Sequence, residues 1–357
     1  MVSASEVAPL ISIAVTTFNG DQYLRRQLDS LLGQDYPNIE IVVADDCSSD
    51  NTIAILAEYD TNDNFRWYQN ETNLGYIKNF ENVIRRCRGE YIALCDQDDV
   101  WYSNKVSKTY TSLIQDDALL AYCDADLIAS DDEHIGMNLL SHSSIGPIKG
   151  GDYEKFYFLN TVNGCTSLIS KELYEMAVPF PSDVPHDWWL AYCAAFEGRL
   201  SYLPCRLMGY RMHDNNTVGI SYRIKKKYFL KYIQRKFSVY NRRFIINKLT
   251  RPTRWTNECL QHFYRFREFE LSRNKNVDIL NMLIEWGTAK VESRPGLAQY
   301  RTFFEHNGGR LGVRVRSVLF ASLRYELFRA KLKLAYQLLI PIVIPIFLCL
   351  FLYYIFW

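Results

Sequence analysis

The chain has 357 residues, 48% of them hydrophobic, enough to bury the core of one large domain or two. With 41 Lys and Arg against 40 Asp and Glu, its net charge of +1 says nothing about partners, and the distribution of charge matters more. Nine cysteines without a CxxC pair argue against a disulfide framework or a structural zinc site, and point to a reducing compartment.

The opening MVSASEVAPLISIAVTTFNG has no basic region ahead of its apolar run, so no signal peptide is expected. LISIAVTT, residues 10–17, predicts the first strand. Leu24, Leu28, Leu31 and Leu32 then share one helical face. IEIVVA (39–44) predicts a second strand, and SSDNTIAILAEYD opens with capping residues ahead of a helix carrying Ile53, Leu56 and Ala57. FRWYQ, a helix with Ile77, Phe80, Val83 and Ile84, and YIALC complete a β-α-β-α-β-α-β series over 10–126. Near-continuous apolar strands separated by helices predict a parallel sheet covered on both faces. Residues 127–220 are more irregular, with Gly and Pro clusters and a Trp-rich helix.

Asp45 and Asp46 follow the second strand, and Asp96, Asp98 and Asp99 follow the fourth. Ligands of open parallel sheets bind beyond the carboxyl ends of the strands, so both groups point to one crevice. Two unit charges at ~4 Å repel by roughly 4 kcal/mol at an effective dielectric of ~20, a cost that a cation would offset. A polar strand-end loop is the plainer alternative. TTFNGDQYL is not a GxGxxG turn and no GxxxxGK[ST] occurs, which disfavours a dinucleotide cofactor and excludes a P-loop. An acidic crevice without a glycine-rich phosphate cradle suits a sugar nucleotide whose diphosphate is held through Mg²⁺ or Mn²⁺.

Three stretches in order, ISIAVTTFNGDQYLRRQLDSLLGQDYPNIEIVVADDCSSDNT, NLGYIKNFENVI and GEYIALCDQDDVW, resemble a family 2 glycosyltransferase of the GT-A fold. HDWWLAYCAAFEG (186–198) and YRMHDNNTVG (210–219) extend the likeness, which covers about residues 10–220, toward bacterial rhamnosyltransferases. The resemblance implies an α/β, Rossmann-like fold with a mostly parallel sheet and flanking helices. It places Thr17 and Asn19 at the nucleobase edge of the donor, with Asp45 accepting from the base N3–H. It places Asp96 near the ribose, Asp98 on the metal, and Asp99 beside it through a water. His213 lies in a loop closing over the donor diphosphate, as a donor or metal ligand, although Asp214 stands where Gly is expected. Asp187 is the implied catalytic base of a single inverting displacement. Plainer readings make Asp187 a first-turn carboxylate favoured by the helix dipole, His213 a surface histidine, Asp46 a loop cap, and Trp188 and Trp189 core residues. The family suggests dTDP-rhamnose as donor; UDP-linked galactose, glucose or N-acetylhexosamine stay open.

Residues 221–255 hold twelve Lys or Arg and no Asp or Glu, interleaved with Tyr228, Phe229, Tyr232, Phe237, Tyr240 and Phe244. This composition predicts a surface-lying membrane contact, with nucleic acid as the second choice. LLIPIVIPIFLCLFLYYIFW, residues 338–357, carries no charge. At ~1.5 Å per residue it reaches about 30 Å, the thickness of a hydrocarbon core. Arg324, Arg329, Lys331 and Lys333 precede it and would keep the enzyme body cytoplasmic. The rival readings of the tail are a helix that pairs with a second copy and an interfacial segment. The expected organisation is a GT-A domain over 1–220, a basic, mainly helical region over 221–333, and a membrane anchor over 334–357. The expected setting is the cytoplasmic face of a bacterial membrane, with a lipid-linked saccharide acceptor destined for cell-surface polysaccharide. Two rivals remain: a non-catalytic membrane protein retaining the fold, and a nucleotidyltransferase that makes the sugar nucleotide.

Overall fold

The computed structural model describes residues 8–140, 146–213 and 254–291. They fall in two compact units, the first containing residues 8–213 and the second 254–291. The first unit alternates β1 (Ile11–Thr17), α1 (Leu24–Leu32), β2 (Ile39–Asp45), α2 (Thr52–Tyr59), β3 (Phe65–Gln69), α3 (Tyr76–Arg86) and β4 (Tyr91–Cys95). This is the order the apolar periodicity predicts. β1 pairs in parallel with both β2 and β4, and β3 lies outside β2. Every residue of β1 is buried, so its sequence shows no alternation of apolar and polar positions. Leu24, Leu28 and Leu31 of α1 join Ile11, Ile13, Val15, Ile41 and Val43 in one core, while α3 buries Phe80, Val83 and Ile84.

The second half of the sheet departs from the parallel expectation. It is built from β5 (Val100–Trp101), α4 (Lys105–Gln115), β6 (Leu120–Ile128), β7 (His134–Asn138), β8 (Ser167–Ser170), α5 (Lys171–Ala177), α6 (His186–Phe196) and β9 (Leu200–Arg211). The strand order is β3-β2-β1-β4-β8-β6-β9-β5, with β7 on β6. β8 runs antiparallel to β4 and β6, β5 to β9, and β7 to β6; only β6 and β9 are parallel here. The sheet is therefore mixed, not mostly parallel. β7 and β8 both run against β6, and the described chain between them carries short 3₁₀ turns at Tyr153–Tyr157 and Gly164–Thr166 in place of the helix of a β-α-β unit.

Both acidic groups stand at carboxyl ends. Asp45 closes β2 in register with Thr17, and Asp96 follows Cys95, whose β1 partner is Val15.

The second unit is built around α7 (Arg254–Ser272) and α8 (Asp278–Val291). Phe263, Phe266, Leu280 and Leu283 are buried in it, and Arg267 Nε donates to Asn281 Oδ1 at 2.7 Å. Among the described residues no helix is long and apolar enough to cross a membrane. The expected anchor at 338–357 and nearly all of the basic 221–255 zone lie outside the described residues.

Candidate active site

Because Thr17 and Asp45 are register partners, Thr17 Oγ1 donates to Asp45 Oδ1 at 2.9 Å. The buried Asp45 also accepts from the Ser48 N–H at 2.9 Å, the Ser48 hydroxyl, and the Gln69 amide at 3.2 Å. A carboxylate has about four acceptor sites, and here all are filled. A further donor would reach Asp45 by taking the place of one of these, and the long Gln69 bond is the weakest. Asn19 sits at φ 47°, in the left-handed region that Asn tolerates. Its N–H donates to Ser48 Oγ and its Oδ1 accepts from the Ser49 N–H, both at 2.8 Å. Thr17, Asn19 and Asp45 thus form one hydrogen-bonded corner. Asp46 caps a loop, accepting from the N–H groups of Leu74 at 2.8 Å and Gly75 at 2.9 Å.

The turn after β4 is tied to that corner. Gln97 Oε1 accepts from the Phe18 N–H at 2.8 Å, and its Nε2 donates to the Phe18 carbonyl at 3.1 Å. The close approach depends on Gly20, where a Cβ would lie 2.2 Å from Gln97 Oε1. Asp98 Oδ2 stands 2.8 Å from His213 Nε2. Asp99 is buried, its Oδ1 accepting from the Arg211 N–H at 3.0 Å. The ligand atoms of Asp96, Asp99 and Cys165 lie within 4.8 Å of one another. The predicted metal residues are thus divided: Asp98 meets His213, whereas Asp99 belongs with Asp96 and Cys165. Desolvation, then the Asp98 and Asp187 charges, push the Asp96 carboxyl up to about 7. Burial and the same kind of carboxylate crowding hold Asp99 well above its ordinary value.

Asp187 lies in the first turn of α6, which has Pro185 at its N-cap and no side-chain cap. Its Oδ2 accepts from the Gly164 N–H at 3.2 Å and its Oδ1 from the Trp188 N–H at 2.6 Å. Desolvation outweighs these donors and pushes the carboxyl up to about 6. The helix is pinned by both indoles: Trp188 Nε1 donates to the Phe156 carbonyl at 2.7 Å, and Trp189 Nε1 to the Ala177 carbonyl at 2.8 Å. Trp189 is buried and Trp188 partly so. His186, stacked on Phe80 at 4.0 Å, is held neutral by burial, its pKa pushed down to about 3. A Cβ at Gly164 would lie 2.7 Å from His186 Nε2, so the glycine admits both the ring and the N–H contact to Asp187. The Asp187 charge is close enough to Asp96 to help raise its carboxyl.

Adjacent ligands of an octahedral cation at ~2.1 Å stand ~3 Å apart, so the Asp98–His213 separation of 2.8 Å fits such an ion. A carboxylate oxygen with an imidazole nitrogen is also a donor set compatible with a divalent metal. Sequence reasoning missed Tyr23, Gln97, Cys165 and Arg211. Only Arg211 carried a signal, as a charged residue ending an otherwise uncharged strand segment, LMGYR.

Residues 12–176 match the family model described as Glycosyl transferase family 2. An uncharacterized glycosyltransferase of Haemophilus influenzae is 28% identical over 230 residues, 60% of this chain and 69% of that protein. A dTDP-rhamnosyl transferase of Shigella flexneri is 29% identical over 236 residues, 60% of this chain and 76% of that protein. Among solved structures, S. aureus TarS superposes with a TM-score of 0.51 at 18% identity, over 82% of this chain and 55% of that one, a likeness of fold.

Proposed function

We propose that the chain, whose residues 12–176 match the Glycosyl transferase family 2 model, transfers L-rhamnose from dTDP-rhamnose, with inversion, to a lipid-linked saccharide. The observation that supports the reading is a desolvated carboxylate, Asp187, whose charge acts on Asp96, together with Asp98, two residues further on, paired with His213. Above about pH 6 Asp187 is ionised and can take the proton of an acceptor hydroxyl. The hydroxyl oxygen bonds to the anomeric carbon as the bond to the diphosphate breaks on the opposite face. Mg²⁺ or Mn²⁺ held by Asp98 and His213 would supply Lewis-acid stabilisation of the departing diphosphate. Thr17, Asn19 and Asp45 would hold the base, and Asp96 the ribose. The Shigella flexneri relative supports dTDP-rhamnose as donor. The uncharged 338–357 segment and the basic 221–255 zone support work at the cytoplasmic face of a membrane on a lipid-carried acceptor.

A panel of sugar nucleotides tests this, following release of nucleoside diphosphate with and without EDTA. Turnover of dTDP-rhamnose that EDTA stops is the expected result. Turnover confined to UDP-sugars would overturn the donor, and a product of retained anomeric configuration by NMR would overturn the mechanism.

A further inference from the structure

We propose that Arg211, through its ion pair with Asp132, is the positioning residue that sets Asp98 and His213 against each other. The inference rests on the reading of those two residues as the metal and diphosphate site.

A guanidinium without solvent is costly unless every donor finds a partner, and Arg211 is 0% exposed. Its Nε donates to the Asp98 carbonyl at 2.6 Å and its Nη1 to the Ala129 carbonyl at 3.0 Å. Its Nη2 is ion-paired with Asp132 Oδ1, a charge contact without hydrogen-bond geometry. Its own main-chain N–H donates to Asp99 Oδ1 at 3.0 Å. One residue therefore grips two consecutive residues of the carboxylate turn, one by its peptide carbonyl and one by its side chain. It stands two residues ahead of His213, so the same short segment delivers the imidazole to Asp98 Oδ2.

The far side of the grip is also built. Tyr23 lies with its ring centre 4.6 Å from the guanidinium carbon and 5.0 Å from the His213 ring, covering both. Asp132 adopts φ 68°, a conformation uncommon for a residue with a Cβ, and also accepts from Arg26 Nε at 3.0 Å. Its side chain is 37% exposed, so Asp132 reaches from the surface to neutralise a cation that water does not touch. A lysine cannot reproduce the planar fork that serves Asp98, Ala129 and Asp132 together. A purely structural arginine would lower stability without changing how the folded molecule binds a cation. A positioning arginine changes the cation affinity of molecules that remain folded.

The test uses the full chain in detergent, with Mn²⁺ alone and Mn²⁺ plus dTDP as probes. Binding is read from the loss of the free Mn²⁺ signal in electron paramagnetic resonance, and thermal melts report the folded fraction. Asp132→Asn and Arg211→Lys are each expected to weaken Mn²⁺ binding in the presence of dTDP by about 10–100-fold, the usual cost of losing a residue that orients a ligand. If Arg211→Lys does not fold, Asp132→Asn, on a partly exposed turn, decides alone. Asp98→Asn separates the two levels of the argument. Weak Mn²⁺ binding in Asp98→Asn, with wild-type binding in folded Asp132→Asn, overturns the positioning role and leaves the site standing. Wild-type binding in Asp98→Asn overturns the site itself, and this inference with it.

Discussion

Under the proposed function, replacing Asp187 by Asn is expected to slow transfer and stabilise the fold, because one half-buried, desolvated carboxylate governs both. Burial raises this carboxyl from 3.8 to about 6. At ~1.4 kcal/mol per tenfold in the proton equilibrium, ionised Asp187 costs the fold at most about 3 kcal/mol. Asn removes the charge but presents an NH₂ to either the Gly164 or the Trp188 N–H, which returns about 1–2 kcal/mol. The net gain at pH 8 is about 1–2 kcal/mol, or roughly 2–8 °C in Tm for a domain of this size. The pH dependence has a definite sign. With its folded pKa above its unfolded value, Asp187 lets wild-type stability fall as pH rises from about 4 through about 6, and the slope then ends. The advantage of Asn is therefore present at pH 8 and gone near pH 4. Loss of the base should cut the transfer rate by about 10²–10⁴-fold while donor affinity holds. Thermal melts at several pH values, initial rates and donor calorimetry measure all three. An Asn variant that is less stable at pH 8, yet keeps its turnover per folded molecule, would refute the argument and leave Asp187 a helix cap.

Asp98→Asn should abolish transfer with the circular dichroism spectrum unchanged, and excess EDTA should do the same to wild type, reversed by Mn²⁺ or Mg²⁺. Glu40 is 2% exposed and accepts from Ser12, Arg66 and Arg88 near the opposite ends of the strands. Because Arg66 and Arg88 are exposed and regain water, Glu40→Ala should cost about 1–3 kcal/mol in denaturant unfolding, from the Ser12 hydroxyl and Arg88 N–H left without their acceptor, and leave turnover per folded molecule unchanged. A chain ending near Leu334 should bind anionic vesicles at low salt and release as salt rises, whereas the full chain should need detergent throughout. Failure of the shortened chain to bind at low salt would assign the basic zone to something other than lipid.

The first half of the sheet is legible because β1, β2 and β4 are buried on both faces and show it as near-continuous apolar runs. β8 is not legible. Four residues, Ser167–Ser170, carry no period, and side-chain pattern does not encode the direction in which a strand enters a sheet. The residue types of the site could be read, since three carboxylates after a strand and a histidine in a later loop are visible in one dimension. Their grouping could not. Asp98 and Asp99 are neighbours in the chain, yet one meets His213 and the other the main chain of Arg211. The filled acceptors of Asp45 depend on strand register and on Ser48 and Gln69, which carry no motif of their own. Trp188 and Trp189 illustrate the same limit: both read as core, but only the structure shows their indole N–H groups anchoring the helix that carries Asp187.

Gln97 bonds the Phe18 main chain through both ends of its amide, as a neighbouring strand would, so the tip of β1 and the turn after β4 shift as one piece. Under the proposed function one of these holds the base and the other the phosphate end of the donor. The span between them is then a rigid gauge, set by a side chain that touches neither. A nucleoside diphosphate sugar would have to fit that span as it stands, and a nucleoside monophosphate sugar, one phosphate shorter, would seat its base and reach less far toward Asp98 and His213.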